Sequence, residues 1–209
     1  MRCLLICGSP DCNSDFIKTQ YKDGDFVVCA DKGYEFCKNA DITPDLIIGD
    51  FDSCQIDLPQ DVKTIKLNPV KDDTDTLSCI KKALEYGCNE FLILGALGGR
   101  IDHTYANLSL LKFLEKKNTP AQIKTDNELI VLISNGEYTA CDALDKTFSV
   151  FPFGCEKCDV SYIGNVMYPL DNYTLTADFP LGISNVFKAD TCTIKVKNGS
   201  ALLIINERV

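Results

Sequence analysis

The residues best suited to chemistry are aspartates that follow short apolar runs. Asp50 and Asp52 stand one residue apart, directly after the apolar residues 46–48 and Gly49. A second acidic group lies at Asp72, Asp73 and Asp75. Carboxylates brought together repel one another unless a cation neutralises them, and hard oxygen ligands select Mg²⁺ or Ca²⁺. Because Mg²⁺ is usually held by one or two carboxylates together with substrate phosphates, Asp50, Asp52 and Asp75 predict a site for a metal–nucleotide complex.

Each acidic group also has a purely structural explanation. The segment Asp50-Phe51-Asp52-Ser53 fits a polar turn held by a side-chain hydrogen bond. Acids at the start of a helix are favourable for the helix dipole, and Thr74 is a possible cap of the helix that follows. Because acidic loops recur after different apolar runs, we favour the metal site.

Basic and glycine-rich residues follow two further runs. Gly98-Gly99-Arg100 offers backbone N–H groups and a guanidinium just before a helix, which suits phosphate oxygens, although it is neither a dinucleotide fingerprint nor a P-loop. Asp31-Lys32-Gly33 follows another run. His103 is the single histidine, which argues against a histidine metal triad. It is either a helix-entry hydrogen-bond donor or a catalytic group, and its expected position at the edge of the cleft favours a contact with phosphate.

The elements that position these loops follow a βαβ pattern. Residues 1–125 alternate helical patterns with apolar runs at 3–7, 26–30, 46–48, 64–67 and 91–94, as expected for a parallel sheet. Leu77, Ile80, Ala83 and Leu84 predict one helix, ended by Gly87. Since the carboxyl ends of parallel strands share one edge, the acidic and basic loops should line one cleft.

Residues 126–209 have a different pattern. Apolar runs at 129–133, 148–151 and 202–205 predict strands, and Asn135-Gly136 and Asn198-Gly199 predict hairpin turns. We therefore expect an antiparallel sandwich or barrel.

Composition narrows the class of protein. The net charge of -9 argues against a broad nucleic-acid or membrane surface. The first apolar run is too short for a signal sequence or a bilayer span, so we expect a cytoplasmic protein. Most of the twelve cysteines lie in apolar patterns, where they pack as small hydrophobes. Cys155 and Cys158, completed by Cys141 and Cys192, are a minor alternative as a zinc site.

Several motifs together resemble those of the thiamine pyrophosphokinase family. They are Ala30-Asp31-Lys32-Gly33 and residues 44–53, 71–76, 98–104 and 182–185. The resemblance implies transfer of the pyrophosphoryl group of ATP to the thiamine hydroxyl, with Mg²⁺, giving thiamine diphosphate and AMP. It also implies a Rossmann-like α/β domain (1–125) that binds nucleotide and metal, a β-sandwich domain (126–209) for thiamine and dimerisation, and a homodimer with sites between subunits.

The resemblance also implies roles for individual residues. Asp50, Asp52 and Asp75 are the implied metal ligands, with Asp52, Asp75 and Asp102 as catalytic candidates. Either Asp75 or Asp102 would accept the hydroxyl proton. The implied nucleotide- and thiamine-binding residues are Asp31, Lys32, Thr74, Gly99, Arg100, His103, Ser184 and Asn185. Lys32 replaces a glycine that is common in the family, and it either neutralises phosphate or extends into solvent. Phe187 or a nearby tyrosine is the candidate to stack on thiamine.

Two other functions are compatible with the same residues. One is a non-catalytic cation-binding module, although the acidic loops do not match the EF-hand spacing. The other is a Mg²⁺-dependent pyrophosphokinase or nucleotidyltransferase for another substrate.

Overall fold

The computed structural model describes residues 1–51, 58–68 and 72–207 of the chain. These residues form two compact units, 1–126 and 127–209. Within the described ranges, no helix is long and apolar enough to cross a bilayer.

The first unit contains a six-stranded parallel sheet. Its strands are β1 Arg2–Ile6, β2 Phe26–Ala30, β3 Leu46–Gly49, β4 Lys63–Lys66, β5 Glu90–Leu94 and β6 Ala121–Lys124. They pair in the order β4-β3-β2-β1-β5-β6, and every pairing is parallel. The inner strands are buried along most of their length, as in β1, where residues 3–6 have no exposed surface. This burial explains why they appear in the sequence as continuous apolar runs.

Four helices connect these strands. They are α1 Ser14–Gln20, α2 Gly33–Asn39, α3 Asp75–Glu85 and α4 Ile101–Glu115. Helix α3 begins and ends as the sequence predicts. The Thr74 hydroxyl accepts a hydrogen bond from the Leu77 amide (3.1 Å), and Gly87 follows the last turn with φ +86°.

The position of β1 determines where a ligand can bind. From β1 the chain moves outward through β2 and β3 to β4, and then returns to place β5 on the other side of β1. Loops at this reversal point diverge and leave a crevice at the carboxyl ends of the strands.

The second unit is a sandwich of two antiparallel sheets. One sheet pairs β12 Asn185–Val186, β9 Thr147–Pro152, β14 Ser200–Asn206 and β7 Glu128–Ser134 in that order. The other pairs β11 Tyr173–Thr176, β10 Lys157–Ile163, β13 Cys192–Lys197 and β8 Glu137–Ala140. Alternate residues of both sheets form one core, which includes Val150, Val160 and Val196. Residues 127–207 contain no helix. The predicted fold class, a parallel α/β unit followed by an antiparallel sandwich, is confirmed.

The prediction of two hairpin turns is wrong. Asn135-Gly136 joins β7 to β8, and Asn198-Gly199 joins β13 to β14, so each turn passes from one sheet to the other. The two turns bond to each other, since the Asn135 amide donates to the Gly199 carbonyl (3.1 Å). Asn135 and Asn198 both have positive φ, which asparagine tolerates well. The same dipeptide that suits a hairpin therefore also suits a sandwich corner.

Candidate active site

A cleft of about 530 Å³ lies at the carboxyl ends of the strands of the first unit. Its volume is within the usual range for small-molecule sites. It is lined by loops that follow β1, β2, β3 and β5 and by the start of α3. The predicted convergence of the acidic and basic loops on one edge agrees with this arrangement.

One wall of the cleft is acidic. Asp50 follows β3, and Asp73 and Asp75 lie at the start of α3. The Asp73 carboxylate is paired with the Lys81 ammonium (2.6 Å), while Thr74 also lines the cleft and caps α3. Asp72 is exposed and absent from the cleft wall. The structural explanation therefore holds for Thr74, which caps α3, and for Asp75, which lies in the first turn of α3. Asp50 and Asp75 also line the cleft, so this explanation does not exclude a role in binding.

The donors on this wall are suited to Mg²⁺. Across residues 1–51, 58–68 and 72–207, no three Asp, Glu, His or Cys residues are grouped so that they could hold an ion. Asp52, the third predicted ligand, lies outside the described residues. Two carboxylates are nevertheless the usual protein contribution to a Mg²⁺–phosphate complex. Burial raises the pKa of the nearby Cys7 thiol to about 12, and this thiol donates to the Thr76 hydroxyl (3.8 Å).

Basic side chains lie on the cleft wall as well. Lys32, Arg100 and His103 all line the cleft. The Arg100 guanidinium makes two bonds to the Asp102 carboxylate (2.6 and 3.1 Å), and this hydrogen bonding lowers the pKa of Asp102. Asp102 itself is exposed and does not line the cleft.

The first turns of α4 contribute to the cleft wall. Residues 103, 106 and 107 line the cleft, as does Arg100, which directly precedes the helix. Residues 103, 106 and 107 are three or four positions apart and so lie close together on the helix surface. Buried Asn107 on the cleft face donates from Nδ2 to the Ala96 carbonyl (2.8 Å), which attaches α4 to the loop after β5.

The loop after β5 depends on glycine at Gly95. Its φ is +63°, and a Cβ there would lie 2.5 Å from the Cys7 carbonyl oxygen. The β1 and β5 loops are thus in direct backbone contact, with the Ser9 amide donating to the Gly95 carbonyl (3.0 Å). Gly99 packs in the same way against Pro10, since its Cβ would lie 2.9 Å from the proline ring. Gly99 supports the loop at this point and is not itself part of the cleft wall.

Comparison with known proteins identifies the family. Residues 17–123 match the family described as thiamin pyrophosphokinase, catalytic domain, and residues 134–203 match thiamin pyrophosphokinase, vitamin B1 binding domain. The chain belongs to the thiamin pyrophosphokinase family. The predicted family and the predicted enzyme class are therefore confirmed.

Individual thiamin pyrophosphokinases are similar over most of the chain. Thiamine pyrophosphokinase of Bacillus subtilis is 30% identical, over 83% of this chain and 84% of the relative. Thiamin pyrophosphokinase 1 of Caenorhabditis elegans is 27% identical, over 96% of this chain and 86% of the relative. The crystal structure of the B. subtilis protein superposes with a TM-score of 0.88 and 25% identity, covering 100% of both chains.

The residues implied for the thiamine side lie in the second unit of this pyrophosphokinase. Ser184 is exposed, has φ +56° and donates its amide to the Ser149 hydroxyl (3.1 Å). Asn185 is buried, and its side chain bonds both the amide and the carbonyl of Tyr168 (3.0 and 2.7 Å). Asn185 therefore fixes the backbone that presents the exposed Tyr168 ring.

Phe187, which we considered as the aromatic partner of thiamine, is part of the core. It has no exposed surface and stacks on Phe148, with ring centroids 4.1 Å apart. Its neighbours are other apolar core residues of the sandwich, so a ligand cannot reach it. The alternation of inward and outward residues along short strands was too weak a signal to show this in advance.

The loop after β1 is the main part of the cleft that sequence reasoning missed. Gly8, Ser9 and Pro10 line the cleft, as do Thr76 and Asn107. The signal was present, because the first apolar run ends in Gly-Ser-Pro just as the others end in polar residues. It was overlooked because these three residues carry no charge.

Three of the four cysteines considered for zinc are engaged elsewhere, whereas Cys141 is exposed. Cys158 is buried in the sandwich core, and burial raises the pKa of its thiol to about 11. The Cys155 thiol donates to the Ser200 carbonyl (3.2 Å), and the Cys192 thiol donates to the Asn165 carbonyl (3.4 Å). These contacts are typical of thiols that pack as small hydrophobes.

Proposed function

We propose that the cleft of the first unit binds ATP with Mg²⁺ and that the pyrophosphoryl group is transferred there to the thiamine hydroxyl, giving thiamine diphosphate and AMP. The observation that carries this proposal is the joint presence of Asp50, Asp75, Arg100 and His103 on the wall of one cleft. Acidic side chains alone would suit a bare cation, and basic ones alone a bare anion. Both together suit a metal–polyphosphate complex.

Asp50 and Asp75 are the proposed protein ligands of Mg²⁺, with Asp52 added from the sequence. When bound, the metal would neutralise the negative charge that builds up on the phosphate oxygens. The carboxylates supply hard oxygen atoms, so the residues present fit Mg²⁺.

Arg100, His103 and Lys32 are the proposed phosphate contacts. The Arg100 guanidinium would exchange Asp102 for phosphate, because its present bond is between exposed groups and therefore weak. These residues hold the β-phosphorus in line with the attacking hydroxyl, and positioning of this kind supplies much of the catalysis in phosphoryl transfer.

Asp75 is the better placed of the two candidates to accept the hydroxyl proton. It lines the cleft, whereas Asp102 lies outside it. A general base must lie within hydrogen-bond reach of the proton that it accepts.

The second unit is proposed to bind thiamine and to form the homodimer, with Ser184 and Asn185 near the thiamine site. This assigns the catalytic role to residues 1–125 and the binding role to residues 126–209. Several large apolar side chains are exposed on this unit, among them Met167, Tyr168, Phe179, Leu181 and Ile183. Exposed apolar groups of this kind are typical of interfaces and ligand sites. Tyr168 takes the place of Phe187 as the candidate aromatic partner of thiamine.

A cytoplasmic location is proposed on the basis of the thiols. None of the eleven cysteines among the described residues forms a disulfide bond. Thiols in this number suit a reducing compartment.

Product analysis tests the reaction. The purified protein is incubated with ATP, Mg²⁺ and thiamine, and nucleotides and thiamine esters are separated by chromatography. We expect AMP and thiamine diphosphate in equal amounts, and neither in the presence of excess chelator. ADP with thiamine monophosphate would indicate a simple kinase, and pyrophosphate would indicate a nucleotidyltransferase. Either result would contradict the proposal.

A further inference from the structure

Asp31 lies between the end of β2 and the acidic loop that follows β3. We propose that Asp31 is a positioning residue, which holds the Asp50–Phe51 loop in place through the backbone of Phe51 and does not act as a ligand of metal or phosphate. The inference rests on the proposed function of the cleft and assigns one residue of it a different role from the one that family resemblance implies.

Two hydrogen bonds connect Asp31 to β3 and its loop. The Asp31 amide donates to the Ile48 carbonyl (2.8 Å), and Asp31 Oδ1 accepts from the Phe51 amide (3.2 Å). These bonds lie on either side of Asp50. The backbone on both sides of the proposed metal ligand is therefore held by one residue, which directly follows the neighbouring strand β2.

Close packing strengthens this connection. A Cβ on Gly49 would lie 2.8 Å from the Asp31 Cα and 3.1 Å from its Oδ1. Only glycine allows β3 to approach Asp31 closely enough for the bond to Phe51.

The backbone conformations of this region need such support. Asp31 and Phe51 have φ of +47° and +62°. Positive φ is costly for a bulky residue such as phenylalanine and persists only where the surroundings enforce it. The Asp31 carboxylate supplies that enforcement at Phe51.

The hydrogen bond from the Phe51 amide allows a positioning role of Asp31 to be distinguished from a role as a ligand. It requires an oxygen acceptor and does not require a negative charge. Asparagine keeps the acceptor and tolerates positive φ, whereas alanine loses both properties and glycine loses only the acceptor. A ligand of metal, by contrast, depends on the carboxylate charge.

The experiment compares Asp31→Asn, Asp31→Gly and Asp31→Ala with the wild type. Amide hydrogen exchange of Phe51, followed by NMR, is the readout that does not require activity. We expect Asp31→Ala and Asp31→Gly to speed this exchange by about tenfold, since one hydrogen bond is lost, while Asp31→Asn leaves it close to the wild-type rate. Mn²⁺ affinity, measured by water proton relaxation, is expected to follow the same order.

Activity should follow the order of exchange rates. We expect kcat/KM for AMP formation to fall by about a hundredfold in Asp31→Ala, because a loop displaced by 1 Å misplaces Asp50. In Asp31→Asn, kcat/KM should fall by less than about tenfold, because a charged hydrogen-bond acceptor is replaced by a neutral one.

Asp41 provides the matched control. It is an exposed aspartate with φ +58°, and its ion pair with Lys18 lies at the surface. Asp41→Ala therefore introduces alanine at a similar φ without touching the cleft. It should show wild-type Phe51 exchange, Mn²⁺ affinity and AMP formation.

Two results would overturn the inference. One is Phe51 exchange in Asp31→Ala that equals the wild-type rate. The other is an Asp31→Asn variant that keeps normal exchange but loses Mn²⁺ affinity as fully as Asp31→Ala, because the charge itself would then be required. The wild-type protein distinguishes failure of this inference from failure of the proposed function. If the proposed function is wrong, the wild-type protein forms no AMP, and the exchange measurements still decide the role of Asp31.

Discussion

Alanine in place of Gly95 should separate the cost of backbone strain from the cost of moving the cleft. Gly95 has φ +63°, a conformation that costs an L-residue roughly 1–2 kcal/mol. Its new Cβ would lie 2.5 Å from the Cys7 carbonyl oxygen, against about 3.5 Å for an ordinary contact. The loops after β1 and β5 must therefore separate by about 1 Å, and a displacement of this size costs on the order of a hundredfold in kcat/KM.

Gly87 provides the control for this substitution. Its φ is +86°, and a Cβ there would meet nothing within 4 Å. Gly87→Ala should lower the free energy of unfolding by roughly 1–2 kcal/mol, or about 2–8 °C in Tm, and leave AMP formation at the wild-type rate.

Thermal melts and steady-state kinetics on both variants measure the two effects. We expect Gly95→Ala to lose more stability than Gly87→Ala and to lose activity as well. If Gly95→Ala melts like Gly87→Ala and keeps the wild-type kcat/KM, contact between the β1 and β5 loops does not position the site.

Three further substitutions give distinct outcomes. Asp75→Asn should lower the rate of AMP formation by about a hundredfold, and saturating Mg²⁺ should not restore it. The control Asp72→Asn changes an exposed residue and should stay close to the wild-type rate. Equal activity of the two variants would exclude Asp75 as a metal ligand. Thr74→Ala should lower the free energy of unfolding, measured in urea, by about 1 kcal/mol, because the Leu77 amide loses its hydrogen-bond acceptor. Thr74→Ser should recover most of that loss. Equal stability of the two variants would show that the cap is unimportant. Tyr162→Phe should raise the free energy of unfolding by about 1 kcal/mol, because the buried hydroxyl has no hydrogen-bond partner among the described residues. A lower free energy of unfolding in the variant would reveal such a partner.

The sequence predicted the first unit well for a physical reason. Strands of a parallel sheet are covered on both faces, so they appear as short continuous apolar runs. Strand β6 was missed because its residues 121–124 alternate in polarity and bury little surface. In the sandwich, strands such as β10 bury only alternate residues and were not recognised individually.

Residues of the cleft wall were predicted where charge marked the loops and missed where it did not. Asp50 and Asp75 lie on the cleft wall as expected, but so do Gly8 and Ser9, which carry no charge. Asp102 lies outside the cleft although its neighbours Arg100 and His103 line it, a detail that depends on where α4 begins. The Asn-Gly turns were predicted as hairpins because local sequence specifies a turn and leaves open which sheet the next strand joins.

The central claim is that Asp50 and Asp75 bind the metal of a metal–ATP complex in the cleft of the first unit. A crystal structure with Mg²⁺ and α,β-methylene ATP, which cannot release AMP, tests it most directly. We predict a metal about 2.1 Å from a carboxylate oxygen of each residue, with the phosphates beside Arg100 and His103. Nucleotide bound away from this cleft, or a metal that contacts neither carboxylate, would contradict the account.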